Sequence, residues 1–256
     1  MSRSLKPAPG RVPAASTHAA ARGARALPFV YGHRGTRRGA PENSLRAMRM
    51  ALEQGADGIE IDVRLCGSGE LVVLHDPDLK RVAGTRVLAA QATLAELQRH
   101  DLGGGARVPT LQEALELVLG AGKLLNIELK ADVPDPFALV AAVARLLQGA
   151  SAVELARVVL SSFSADICAE LCDALPELAV GALLEHVPSS LPSGLQAVHP
   201  RHFLIAPNTS ARWRKEGLMI NAWTVNAGAR AAELARTGVD GIITDDVPAI
   251  LASLRG

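Results

Sequence analysis

Gly58-Ile59-Glu60-Ile61-Asp62-Val63 carries a two-residue period that points to the fold of the whole chain. Its apolar and acidic residues alternate. Successive side chains of a β-strand point to opposite faces, so Ile59, Ile61 and Val63 share one face and Glu60 and Asp62 the other. The apolar face suits packing against outer helices. The acidic face suits the inside of a closed barrel, where inward side chains from several strands meet. A second stretch, Asn126-Ile127-Glu128-Leu129-Lys130, repeats the pattern, with Ile127 and Leu129 outward and Glu128 and Lys130 inward.

On either side of these two stretches, short β-rich runs alternate with longer helical ones. Strands are predicted at 29–33, 58–63, 71–75, 124–130, 158–162, 179–183, 219–224 and 241–244. Helices are predicted near 43–54, 93–100, 110–121, 136–148, 165–174, 208–216, 228–237 and 247–254. Thr93-Leu-Ala-Glu96 and Thr110-Leu-Gln-Glu113 have the spacing of capping boxes. Gly55, Gly217 and Gly238 sit where helix stops belong. Eight alternating units in about 230 residues fit an α/β fold of the (β/α)8 TIM-barrel type. A doubly wound open sheet is the rival, but no Gly-x-Gly-x-x-Gly opens a helix after the first strand. The segment 76–122 is long for one connection and reads as a small insertion after the third strand, above the barrel.

Composition narrows the class of function. Of the 256 residues 48% are apolar and 3% aromatic, so the core is mostly Leu, Val, Ile and Ala. The net charge of +1 provides no global field for nucleic acid, and no basic groove with interleaved aromatics is visible. No apolar run is long enough to span a bilayer, so no integral membrane segment is expected. Residues 1–28 carry Arg3, Lys6, Arg11, Arg22 and Arg25 with no acid. This head lacks the apolar core of a secretory signal and reads as a disordered basic tail before a barrel domain over 29–256. With no export signal and an odd count of three cysteines, a cytoplasmic location without disulfides is expected. Cys168 and Cys172, four apart on a helix, read as small buried hydrophobes.

The candidate chemistry lies where polar residues interrupt the strands. Glu60, Asp62 and Glu128 are three inward carboxylates from two strands, and unpaired they are costly to bury. A salt-bridged structural cluster is one reading. A divalent cation is the stronger one, and an all-oxygen donor set suits Mg²⁺ or Ca²⁺ better than Zn²⁺. His33 and His75 close predicted strands, and catalytic groups in barrels sit at the C-terminal strand ends. Two such histidines beside carboxylates suit general acid–base work. His18, His100, His186 and His202 read as structural or exposed, and His199 stays undecided. Arg34 and Lys130 offer positive charge for a phosphate, or simply pair with Glu42 and Glu128.

Taken in order, these residues resemble a known family. His33-Arg34-Gly35, Pro41-Glu42-Asn43-Ser44, the run Gly55 to Val63, Val73-Leu74-His75-Asp76 and Ile127-Glu128-Leu129-Lys130 are similar to the motifs of glycerophosphodiester phosphodiesterases. So are Ser161-Ser162-Phe163, Trp223-Thr224-Val225-Asn226 and the run Gly238 to Asp245. Each motif alone is weak; their joint order, covering almost everything from residue 29 onward, is specific. The resemblance implies a phospholipase-C-like barrel with His33 and His75 as the acid–base pair and Glu60, Asp62 and Glu128 on one divalent cation. It further implies Arg34 and Lys130 on phosphate, and Trp223 against glycerol, with barrel packing as the competing role of that Trp. Ser44 and Cys66 depart from the common Thr and polar residue. The implied reaction is metal-dependent hydrolysis of a small-molecule glycerophosphodiester to glycerol 3-phosphate and an alcohol. The alternatives are a lysophospholipase D-like enzyme, whose acyl groove would draw on Val82, Val87, Leu88, Leu94 and Leu97, and a non-catalytic phosphodiester-binding barrel. Oligomeric state, including a homo-oligomer, stays open.

Overall fold

The computed structural model describes residues 27–255; residues 1–26 of the expected basic tail lie outside the described residues. Nine strands form one sheet: β1 (Phe29–His33), β2 (Gly58–Leu65), β3 (Leu71–Val73), β4 (Leu124–Leu129), β5 (Val158–Ser162), β6 (Ala179–Leu184), β7 (Ala197–Pro200), β8 (Met219–Ala222) and β9 (Gly241–Thr244). Eight of them pair in parallel in the order β1-β2-β4-β5-β6-β7-β8-β9. β9 pairs back onto β1, with Phe29 opposite Gly241 and Gly32 opposite Thr244, so the barrel closes. The expected (β/α)8 barrel is therefore present.

One of its eight staves differs from the sequence reading. The run 71–75 reads as a stave, but β3 is antiparallel to β2, with Val63 opposite Val73 and Leu65 opposite Leu71. The cause is the length of the connection. Only Cys66 to Glu70 separate the strands, turning at Gly69 with φ 94°, whereas a parallel crossover needs about a dozen residues or more. The true additional stave is β7, whose four residues are all buried. No helix lies between β6 and β7, so the helical punctuation that marks the other staves is missing there.

Both predicted capping boxes form, at Thr93 with Glu96 and at Thr110 with Glu113. Gly238 ends the helix Gly228–Thr237 in the left-handed conformation, φ 74°. The outward strand residues Ile59, Ile61, Val63, Ile127 and Leu129 pack with the surrounding helices in one large core. A second, smaller core gathers Cys66, Val72, Leu74, Leu79, Leu97, Leu102 and Val108, with Val82, Val87 and Leu94 packed against it. The insertion's side chains fill this core together with the β2–β3 hairpin, and only Leu88 of the five that an acyl groove would use is well exposed.

The barrel interior is partly polar. Ser161 Oγ donates to Asn126 Oδ1 at 3.1 Å, Asn126 Nδ2 lies 3.4 Å from His199 Nδ1, and Asn221 Nδ2 lies 3.1 Å from His199 Nε2. His199 is fully buried and belongs to this network. Gly181 on the neighbouring β6, opposite Ala197, is required for space, since a Cβ there would lie 2.6 Å from His199 Nε2.

Candidate active site

Strand register assembles the acidic cluster. β1 sets His33 beside Glu60, and β2 sets Glu60 beside Asn126 and Asp62 beside Glu128. Side-chain parity then turns Glu60, Asp62 and Glu128 inward, and ligand oxygens of all three lie within 4.8 Å of one another. All three are buried. Burial, with Asp62 adding to it, raises Glu60, and burial with Asp62 and Glu60 pushes Glu128 up to about 8 despite Lys130. Burial also opposes ionisation of Asp62, but Lys130, Arg34 and His75 outweigh it and hold Asp62 well below the usual range. Two carboxylates whose charged forms are disfavoured, beside one that is firmly charged, are a donor set short of positive charge. Such a set fits a divalent cation.

Both cations expected near phosphate make the pairs that the sequence offered as the alternative. Lys130 Nζ lies 2.7 Å from Glu128 Oε1 and 3.3 Å from Asp62 Oδ1. Arg34 Nη1 donates to Glu42 Oε1 at 2.8 Å, and its Nε lies 3.2 Å from Asp62 Oδ2. Burial works against charge on both, yet the surrounding carboxylates raise both pKa values. The Arg34 Nε is buried without a hydrogen bond. Arg34 and Asn43 are the two non-glycine residues with positive φ among the described residues, 53° and 59°. That backbone, uncommon outside glycine, points Arg34 N at Glu60 Oε2 (3.1 Å) and Asn43 Nδ2 at Asp62 Oδ2 (2.8 Å).

The two histidines reach the site by different routes. His33 ends β1, as expected, and its Nδ1 lies 2.7 Å from Asp245 Oδ1 and its Nε2 4.0 Å from Glu60 Oε2. His75 does not close a barrel stave. The antiparallel β3 carries it back down the hairpin, where Leu74 N donates to Asp62 O at 3.0 Å. His75 Nδ1 lies 2.6 Å from Asp76 Oδ1. Burial lowers the His75 pKa, and the nearby Lys130 and Arg34 add to this against Asp62 and Asp76.

Four residues that the sequence analysis left without a role support the site. Asp245 and Asp76 each hold a histidine. Arg81 donates to both oxygens of Glu42 at 2.7 and 2.8 Å and to Asp76 Oδ2 at 2.6 Å, tying the insertion to the barrel. Arg64 shares the inward face with Glu60 and Asp62, and its guanidinium reaches His75 O at 2.6 Å and Asp132 Oδ1 at 2.7 Å. Extending the alternation of β2 by one step would have found it.

A cavity of about 270 Å³ opens over these groups, lined by His33, Arg34, Glu60, His75, Glu128 and Trp223, among others. Trp223 Nε1 donates to His199 O, and its ring meets Phe163 edge-on at 5.4 Å. Of the site residues expected from the sequence, His33, Arg34, Glu60, His75, Glu128 and Trp223 line this cavity, while Asp62 and Lys130 are buried outside its lining and joined to it through the Lys130–Glu128 contact.

The family model of the glycerophosphoryl diester phosphodiesterase family matches residues 33–249. The chain belongs to that family. A glycerophosphodiester phosphodiesterase of Caldanaerobacter subterraneus subsp. tengcongensis is 32% identical over 239 residues, 89% of this chain and 98% of that protein. An Oleispira antarctica phosphodiesterase, solved in complex with the product sn-glycerol-3-phosphate, superposes with a TM-score of 0.81 at 27% identity, covering 90% of this chain and 98% of that one. A glycerophosphodiester phosphodiesterase from Thermotoga maritima gives 0.73 at 29% identity, covering 88% and 97%. The protein is accordingly a phosphoric diester hydrolase acting on glycerophosphodiesters. Glycerophosphodiester phosphodiesterases depend on a divalent metal, and the buried triad here can hold one. Among the described residues no helix is long and apolar enough to cross a membrane.

Proposed function

We propose that His33 and His75 are the acid–base pair of this phosphodiesterase, that Glu60, Asp62 and Glu128 hold one Mg²⁺ or Ca²⁺, and that the products are glycerol 3-phosphate and a free alcohol. The observation that carries the reading is the meeting of three buried carboxylates and two carboxylate-held histidines around one small cavity. The all-oxygen donor set favours a hard cation. When bound, the metal supplies Lewis-acid stabilisation of charge developing on a non-bridging phosphate oxygen.

The chain's own groups do the rest. Arg34 and Lys130 lie beside the carboxylates and share the phosphate charge. Asp245 and Asp76 each accept from an Nδ1–H, which leaves Nε2 of His33 and His75 as the working nitrogens. One histidine accepts the proton of the attacking oxygen, from water or from the substrate's own glycerol hydroxyl, and the other gives a proton to the departing alcohol oxygen as its bond to phosphorus breaks; after hydroxyl attack, water opens the resulting cyclic phosphate to glycerol 3-phosphate. Trp223, set against Phe163, offers a flat apolar face to the glycerol carbons. The bound product named for the Oleispira antarctica relative supports glycerol 3-phosphate as the product and a place in glycerol and lipid metabolism. The free cysteines suit a reducing, cytoplasmic setting.

Two observations disfavour the alternatives. Four of the insertion's five apolar candidates, all but Leu88, are packed in a small core shared with the β2–β3 hairpin, against an acyl groove built from them. The full set of histidines and carboxylates argues against a binding-only barrel. A coupled assay of glycerol 3-phosphate release from glycerophosphocholine tests the reading. Activity should vanish on chelation and return with Mg²⁺ or Ca²⁺. Turnover that survives exhaustive chelation, or near-normal turnover in His33→Ala or His75→Ala, would overturn it.

A further inference from the structure

We infer that Glu185 and Arg201 form a charged rim that sets the substrate class, admitting a bare glycerol moiety and turning away a glycerol that carries an acyl chain. The inference deepens the phosphodiesterase reading and rests on it.

Four consecutive strand ends stand along this side of the site, three lining the cavity and Arg201 lying over the Trp223 ring. Phe163 follows β5, Glu185 follows β6, Arg201 follows β7 and Trp223 follows β8. The strands are parallel, so all four residues emerge at the same end of the barrel. Arg201 and Trp223 continue the sheet as an isolated parallel bridge. Arg201 N donates to Leu184 O at 2.9 Å and Trp223 N to Pro200 O at 3.1 Å, so the backbone under the rim is held on both sides.

The side chains then form a wall with an abrupt change of character. Phe163, Leu183 and Trp223 line the cavity with apolar surface, and Glu185 lines it next. The Arg201 guanidinium lies over Trp223 at 5.4 Å and over Phe203 at 5.2 Å, with Nη1 3.5 Å from Glu185 Oε1. Contact with two ring faces restrains a side chain that would otherwise move freely. The pair is far from buried, with Arg201 45% and Glu185 60% exposed, so it contributes little to folding.

Its effect falls on what lies across it. A hydrocarbon chain leaving the glycerol along this wall would cover a carboxylate and a guanidinium and strip their water without replacing it. A free glycerol hydroxyl can donate to Glu185 or accept from Arg201 instead. The cavity, about 270 Å³, is also at or below the ~300 Å³ lower end for small-molecule pockets, which suits a compact polar substrate. Rejection by a charged element, on top of attraction for the right substrate, is a general route to selectivity.

The test compares kcat/KM for glycerophosphocholine and for short-chain lysophosphatidylcholine in the full-length protein and in Arg201→Ala, Glu185→Gln and Arg201→Lys. The lysophosphatidylcholine-to-glycerophosphocholine ratio should rise at least about tenfold in Arg201→Ala, and also in Glu185→Gln. Arg201→Lys keeps the charge without the guanidinium's ring contacts and should fall between. A ratio within about twofold of wild type in both Arg201→Ala and Glu185→Gln, in proteins with unchanged melting temperatures, overturns the rim. Wild-type protein that turns over neither substrate overturns the phosphodiesterase reading itself, and the rim with it.

Discussion

Nδ1 of His33 lies 2.7 Å from Oδ1 of Asp245, although 212 positions separate the two residues. They meet because the first and last strands of the barrel pair, which sets Gly32 opposite Thr244 one residue before each partner. The carboxylate is itself steadied by Asn226, whose Nδ2 donates to Oδ2 at 2.7 Å and whose Oδ1 accepts from Asp245 N at 2.9 Å. Burial opposes its charge, but His33 and Asn226 hold it below the usual carboxylate range.

Asp245→Asn should therefore leave the fold intact and lower kcat. An amide that presents its NH₂ to Nδ1 favours the tautomer with the proton on Nε2, the nitrogen proposed to exchange protons. The expected loss is about a hundredfold in kcat with a much smaller change in KM. Steady-state kinetics alongside thermal melting checks it, and an unchanged kcat would remove Asp245 from the site.

Glu42 should act as an acid-sensitive tie. It receives hydrogen bonds from Arg34 and Arg81, and although burial opposes its charge, these arginines hold its pKa at about 2 against an ordinary 4.5. A depressed carboxylate stabilises the fold above its unfolded value and loses that contribution as pH falls toward its folded value. Wild type should exceed Glu42→Gln by about 2 kcal/mol at neutral pH, from charge-assisted hydrogen bonds. The gap should close as the pH drops from 4.5 toward 2. Urea midpoints measured for both proteins across that window give the comparison, and a gap that widens on acidification would contradict it.

Glu60→Gln should reverse its effect with metal. Without a cation, burial and the neighbouring Asp62 disfavour the Glu60 carboxylate. A carboxylate raised in the folded state lowers stability above its unfolded value, so the neutral amide relieves that strain at neutral pH. In chelator the variant should match wild type or exceed it by up to about 1 kcal/mol. In saturating Mg²⁺ or Ca²⁺ wild type should be the more stable, because a tightly bound ion stabilises the folded state. Melting curves with and without metal decide it; the same order in both conditions would count against Glu60 as a ligand.

Cys168 should resist alkylation. Burial, with Cys172 adding to it, pushes its thiol up to about 12, and burial also raises Cys172. The thiolate is the reactive form, so neither residue should label appreciably with iodoacetamide in native protein at neutral pH, and both should label in denaturant. Peptide mass spectrometry reads this directly. Rapid native labelling of Cys168 would show that the helix Ala165–Ala174 opens readily.

Much of the cluster was legible because strand alternation carries burial information at every second residue. Glu60, Asp62 and Glu128 needed nothing more than that alternation in two strands. Trp223 came chiefly from family resemblance, and its geometry at the cavity agrees with a site position. Asn43 was harder, since its contact with Asp62 depends on a left-handed backbone at residue 43, which only a general preference of Asn hints at. The β3 error had a local cause that the sequence did contain, in a link too short for a crossover. The β7 omission had another. Ala197–Pro200 is four residues long, ends in proline and has no helix ahead of it, so neither periodicity nor spacing marks it. Arg81 and Asp76 join the site through contacts between the insertion and the barrel, which no linear pattern encodes.

The closure of β1 against β9 also bears on how the protein is made. During synthesis β1 emerges first and can pair with β2 soon afterwards, but its other edge waits for a strand more than two hundred residues later. At roughly 5–20 residues per second that wait is on the order of 10–40 s, with an open strand edge exposed to the cell throughout. A ribosome that stops before Gly241 therefore releases a chain with an unsealed sheet and no Asp245 for His33, so only completed translation delivers both a closed barrel and a full catalytic set.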